Sequence, residues 1–139
     1  MATVSEALSE LGIQEWVMRG EPTKESEFKE MFRKVTGADA SGTAIESDDT
    51  SKWGVTWKQV SDKMAAIDSA APMKELRIQR DAKLAETDWT ALADVTMADN
   101  MKTYRQALRD LPAHNDGKNA TLASDGRTLE NVKWPQKPA

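Results

Sequence analysis

Three times the chain carries a Thr followed three positions later by Glu, Gln or Asp, then apolar residues at helical spacing. The pairs are Thr3 and Glu6, Thr56 and Gln59, and Thr96 and Asp99. In such a pair the hydroxyl and the downstream side chain satisfy the unpaired amides of a helix start reciprocally. Val4, Ala7, Leu8 and Leu11 follow the first pair at i, i+3, i+4 and i+7, and Gly12 can end that helix in the left-handed conformation. Trp57, Val60, Met64 and Ile67 accompany the second pair. Met101, Tyr104, Leu108 and Leu111 accompany the third and stop at Pro112. A helix with one apolar stripe must bury it against another element. The pattern therefore predicts an all-α protein: a small helical domain of about four to five helices with an irregular C-terminal arm, leaving room for one short β-hairpin.

The stretches between these helices refine that expectation. Thr23 is a candidate N-cap with Glu25 in the following turn. Phe28, Met31, Phe32 and Val35 form a stripe running toward Gly37, so a helix is expected there. Ile13, Trp16 and Val17, before Gly20 and Pro22, fit a helical face or a strand equally well. Residues 38–52 have Ile45 as their one large apolar side chain and are rich in Ser, Thr, Asp and Gly, so they read as a loop. "DSAAP" at 68–72 permits a break or kink. Residues 73–87 are strong helix formers, with Arg77 and Asp81 spaced to pair. Beyond Pro112 turn signals dominate, and "ATLASDGRTL" can close as a hairpin with Gly126 at positive φ. Trp134 precedes Pro135 and is biased toward an extended conformation. The expected organisation is an N-terminal helical segment 1–37, a linker loop 38–52, a helical core 53–112 and an irregular arm 113–139.

Composition excludes more function classes than it suggests. A net charge of −4 without a basic block argues against a general nucleic-acid binder, which must displace counterions from phosphates. No run approaches the length of a membrane span, and the acidic N-terminus lacks the basic and apolar regions of a secretory signal. A cytosolic location is expected. The chain has no Cys, which removes disulfides and thiolate metal sites. Its single His, His114, lies in the turn "PAHNDG", without the further donors a zinc site needs. Asp39, Asp48 and Asp49 lack the spacing of a calcium loop, and no glycine-rich phosphate cradle is present. No catalytic, cofactor or metal residue is assigned, and the protein is not expected to be an enzyme.

Two aromatic residues and a basic line remain as candidate contacts. Trp89 stands at a helix exit, and Trp134 lies in the Pro-containing terminus, where an aromatic side chain can plug the core or anchor a partner. Lys102, Arg105 and Arg109 fall close to one line along the last helix, beside its apolar stripe. They form a solvated edge or the charged rim of a contact surface.

The order "LRIQRDAKLAETDW", then "YRQALRDLP", then "VKWPQKP" resembles the phage tail assembly chaperone family over roughly residues 73–138. The matching residues are Arg80-Asp81, Leu84, Thr87-Asp88-Trp89, residues 104–110, Trp134-Pro135 and Pro138. The stretch between Leu111 and Val132 is longer than the family's compact pattern, and residues 1–37 lie outside it. The resemblance implies a virus-encoded, non-enzymatic assembly factor acting in the host cytoplasm. It would bind a phage tail or tail-fibre protein and involve no nucleic acid, membrane or cofactor. Trp89, Lys102, Arg105, Arg109 and Trp134 are then the candidate partner-binding residues. A minor structural component of the tail or baseplate, carried in the virion, is the alternative.

Overall fold

The computed structural model describes residues 1–139 and divides into two compact units, Met1–Ser69 and Ala70–Ala139. The first holds α1 (Val4–Glu10), β1 (Trp16–Met18), α2 (Glu25–Met31), β2 (Phe32–Ala38), β3 (Ala44–Ser47) and a 3₁₀ turn at Thr50–Lys52. Helix α3 (Trp57–Thr87) passes through the division. The second unit continues with a 3₁₀ turn at Asp88–Ala91, α4 (Asp99–Asp110), β4 (Thr121–Leu122) and β5 (Leu129–Glu130). No helix is long and apolar enough to cross a membrane.

The all-α expectation does not hold. Strands β1, β2 and β3 form an antiparallel sheet in that order, pairing Met18 with Phe32 and Lys34 with Ser47. The helix expected to reach Gly37 stops at Met31, and Phe32 turns extended at φ −87° and ψ 139°. The Phe28 and Phe32 rings still stack at 4.8 Å, so the fourfold spacing is satisfied across a helix end. Val35 and Thr36 are β-branched and Gly37 is a weak helix former, so extended backbone competes well there. Hydrogen-bonding partners come from both sides. One of them, β3, lies within residues 38–52, the stretch expected to be a loop.

The start signals fared unevenly. Thr3 and Glu6 form the reciprocal capping box, with the Glu6 amide donating to the Thr3 hydroxyl at 3.1 Å and the Thr3 amide to Glu6 at 2.7 Å. In the same way the Gln59 amide donates to the Thr56 hydroxyl at 3.3 Å and the Thr56 amide to the Gln59 side-chain oxygen at 2.9 Å. Thr96 does not cap α4, whose N-cap is Ala98 without a side-chain bond. Lys24 rather than Thr23 precedes α2, and the Thr23 amide and hydroxyl both donate to Glu27. Helix α3 runs unbroken through Pro72, and Asp81 pairs with Arg80 at 2.8 Å rather than with Arg77.

In residues 1–69 the core is aromatic. Trp53 is 2% exposed, stands edge-on to Phe28 and Phe32, and donates its indole N–H to the Ser47 carbonyl at 2.9 Å. Val4, Ala7, Leu8, Val55 and Val60 complete the cluster. In residues 70–139 the buried apolar side chains are Leu76, Tyr104, Leu108 and Leu111.

Both hairpins are tied by an aspartate that accepts backbone amides. Asp39 accepts from the Ser41 and Thr43 amides and the Ser41 hydroxyl between β2 and β3. Asp125 accepts from the Arg127 and Thr128 amides and the Thr128 hydroxyl between β4 and β5, where Gly126 takes a φ of 72°. The second hairpin occupies the position expected from "ATLASDGRTL".

Two outcomes follow. Trp53→Ala removes the centre of the aromatic cluster and should destabilise residues 1–69 by about 3–5 kcal/mol, read as a lower urea midpoint. Hydrogen bonds from the Thr128 hydroxyl and from the backbone hold Asp125 down to about 2 from 3.8. A depressed carboxylate stabilises above its unfolded value and loses that contribution as pH falls through its folded one. Exchange protection of the Ala123 amide, which donates to the Thr128 carbonyl at 2.9 Å, should persist at about pH 5 and fade between about pH 4 and 2. Loss already at pH 5 would contradict the tie.

Candidate functional site

Helix α4 presents two kinds of arginine. Its stripe buries Tyr104 and Leu108, and Arg105 is buried with them, at 7% exposure. The Arg105 guanidinium donates through Nη1 to the Leu84 carbonyl at 2.9 Å and to the Thr87 hydroxyl at 2.7 Å. Through Nη2 it donates to the Asp88 carboxylate at 2.9 Å. Leu84 lies in the last turn of α3, where helix carbonyls have no intrahelical partner and a cation is favoured by the helix dipole. Thr90 is also buried, and its hydroxyl donates to the Thr87 carbonyl at 2.7 Å. Arg105 therefore clamps the C-terminal end of α3 and contributes no solvated rim.

Lys102 and Arg109 do remain on the exposed side. Lys102 stands 3.6 Å from Asp99, and Arg109 reaches the Gln106 side chain at 3.3 Å. Both line a groove of about 680 Å³ along α4, together with Met97, Gln106, His114 and Pro135. The C-terminal arm forms one wall of it. Trp134 is partly buried, with the Lys83 ammonium 4.9 Å from its ring centroid, and Lys137 lies 3.8 Å from Glu86. The Lys133 amide donates to the Asp116 carbonyl at 2.8 Å. Trp134 thus holds the arm to α3 and sets Pro135 at the groove. Trp89 is 60% exposed, beside an equally open Leu92, and does not line the groove.

Of the five candidate residues, the structure brings Lys102, Arg105 and Arg109 to one groove, whereas Trp134 packs at Lys83 next to the lining residue Pro135 and Trp89 stands apart. The burial of Arg105 had a signal in the sequence. It lies four residues after Met101 and three before Leu108, inside the margin of the apolar stripe. His114, a lone turn residue in the sequence, also lines the groove, and Arg77 lines an adjoining cleft with Arg109. No group of His, Asp and Glu is placed to hold a metal.

The family model for phage tail assembly chaperone protein matches residues 73–139, the C-terminal half of the chain. No curated protein and no solved structure matches the chain. The matched span contains the Arg105 clamp, the groove and the arm.

The two arginines of α4 should separate in a stability measurement. Arg105→Ala removes the donor to the Thr87 hydroxyl, leaves the Leu84 carbonyl with only the 3.2 Å bond from that hydroxyl, and should cost about 1–3 kcal/mol. Arg109→Ala should change stability by no more than about 0.5 kcal/mol. Denaturant titration of both variants checks the contrast, and equal costs would refute the division between clamp and surface.

Proposed function

We propose, from the match of residues 73–139 to the phage tail assembly chaperone family, that the protein is a non-enzymatic assembly factor. It binds a phage tail protein, a tail-fibre component in the finer reading, inside the infected host cell. The observation that carries this reading is that every residue lining the α4 groove falls within the matched span. The groove combines apolar walls at Met97, Leu111 and Pro135 with Lys102 and Arg109 at its edge. That composition suits an extended client segment, which offers apolar contacts at the centre and polar ones at the rim.

Transient action separates a chaperone from a resident virion part. The full-length chain should recover a tail protein from infected cells and be far below stoichiometric in purified particles. Lys102→Glu should lower that recovery without loss of the folded state, since Lys102 is exposed and pairs only with Asp99. Stoichiometric presence in particles would favour a structural tail or baseplate component and overturn the chaperone reading.

A further inference from the structure

Arg77 and Arg80 stand one turn apart on α3, and Arg109 closes α4. With Asp110, Pro112, Ala113 and His114 they line a shallow cleft of about 500 Å³ within residues 70–139. Three guanidiniums around one cleft repel one another unless carboxylates answer them. Only Arg80 has such a partner, Asp81 at 2.8 Å. Asp110 lines the cleft, but its carboxylate accepts the Gln106 amide at 2.9 Å. Arg77 makes no hydrogen bond or ion pair, and Arg109 has only the 3.3 Å contact to Gln106, long for a charged donor.

The end of α4 does not engage them either. The Asp110 carbonyl takes the Ala113 and His114 amides, each at 3.0 Å, and the Leu111 carbonyl takes the His114 amide at 3.2 Å. Arg105, on the same helix, commits both Nη atoms to the fold, so the contrast is internal to one element.

We infer that this cleft binds an acidic peptide segment, with carboxylates paired to the Arg77 and Arg109 guanidiniums. A guanidinium presents a planar fork of donors that matches a carboxylate with two parallel bonds. Two uncommitted forks on one cleft suit two acidic side chains on a short extended stretch. Pro112 and Ala113 give the backbone of that stretch an apolar wall. A nucleic acid fits worse. The cleft holds no Lys, Asp110 faces into it, and the whole chain carries −4. Residues 70–139 hold eleven Lys and Arg and ten Asp and Glu, whereas residues 1–69 hold eight and thirteen, so the basic site lies in the less acidic half.

The cleft shares Arg109, Asp110 and His114 with the α4 groove, so one client segment can run from the groove into it. In that form the inference rests on the chaperone reading and names the chemistry of the client: an acidic stretch next to an apolar one.

The test uses the full chain and its Arg77→Ser, Arg109→Ser double variant. The probes are a fluorescent glutamate-rich peptide, its all-glutamine counterpart and a double-stranded oligonucleotide. The glutamate peptide should bind the wild type, weaken with added salt, and lose about tenfold or more in affinity on the double variant. The all-glutamine peptide should bind poorly to both proteins. Circular dichroism melting of the variant should match the wild type, because neither arginine is committed to the fold. Equal binding of the two peptides, unchanged binding by the variant, or tighter binding of the oligonucleotide would overturn the inference. Early melting of the variant would overturn it too, by making these arginines structural. Recovery of a tail protein from infected cells is measured on the same pair. If the wild type recovers none yet binds the glutamate peptide in an arginine-dependent way, the chaperone reading fails and the cleft stands. If the variant recovers the tail protein as well as the wild type does, the chaperone reading stands and the cleft is not the client contact.

Discussion

The Arg105 guanidinium fixes what the C-terminal half can present. A buried guanidinium is costly to the extent that its donors go unmet, and here both Nη atoms meet the end of α3 and the Asp88 carboxylate. Its Nε is the one buried side-chain nitrogen left without a partner, so the clamp carries a residual cost. The gain is orientation. With one edge of α4 held at the end of α3, Lys102 and Arg109 face outward into the groove. The arm is held in turn by Trp134 against Lys83. Each contact is modest alone, and together they build a surface from a helix with few core residues.

The N-terminal half solves a different problem by other means. Residues 1–69 have a three-stranded sheet with short strands, and such a sheet needs a packed face to persist. Trp53, Phe28 and Phe32 supply that face with large rings in stacked and edge-on contact. The acids of the Asp-rich stretch act locally. Asp39 ties the β2–β3 turn, and Asp49 caps the following 3₁₀ turn through the Ser51 amide at 3.0 Å. Both carboxylates are held below their usual range, first by the neighbouring Ser hydroxyl and then by backbone amides. Of the three aspartates that read as a cluster of free acids in the sequence, Asp39 and Asp49 are turn locks.

Legibility followed the range of the interaction. Thr3 with Glu6 and Thr56 with Gln59 act within one helical turn, and both were readable from spacing. The β4–β5 hairpin was readable because Gly126 and Asp125 set the turn by themselves. The larger sheet was not. Phe28, Met31, Phe32 and Val35 fit a helical stripe, and only pairing with Trp16–Met18 and Ala44–Ser47 makes residues 32–38 extended. Thr96 shows the reverse error: a correct local pattern that a start at Ala98 left unused. The site was half legible. The line of Lys102, Arg105 and Arg109 could be drawn on a helix, but not the Leu84 carbonyl and Thr87 hydroxyl that, with Asp88, take Arg105 out of it. Arg77 joins Arg109 through the tertiary fold, across 32 positions of sequence.

This division of arginines bears on how a protein of net charge −4 can recognise an acidic segment. At long range the chain repels an acidic partner weakly, and physiological salt screens that repulsion beyond about 8 Å. At contact the local arrangement decides, because a guanidinium and a carboxylate a few ångströms apart outweigh distant charges. An overall acidic chain with one basic cleft therefore discriminates against extended polyanions while still accepting a short acidic stretch. A uniformly basic surface could not make that distinction. Selectivity of this kind needs arginines that the fold leaves uncommitted, and it needs other contacts to hold the helices that carry them. Arg105 meets the second requirement, which leaves Arg77 and Arg109 available for the first.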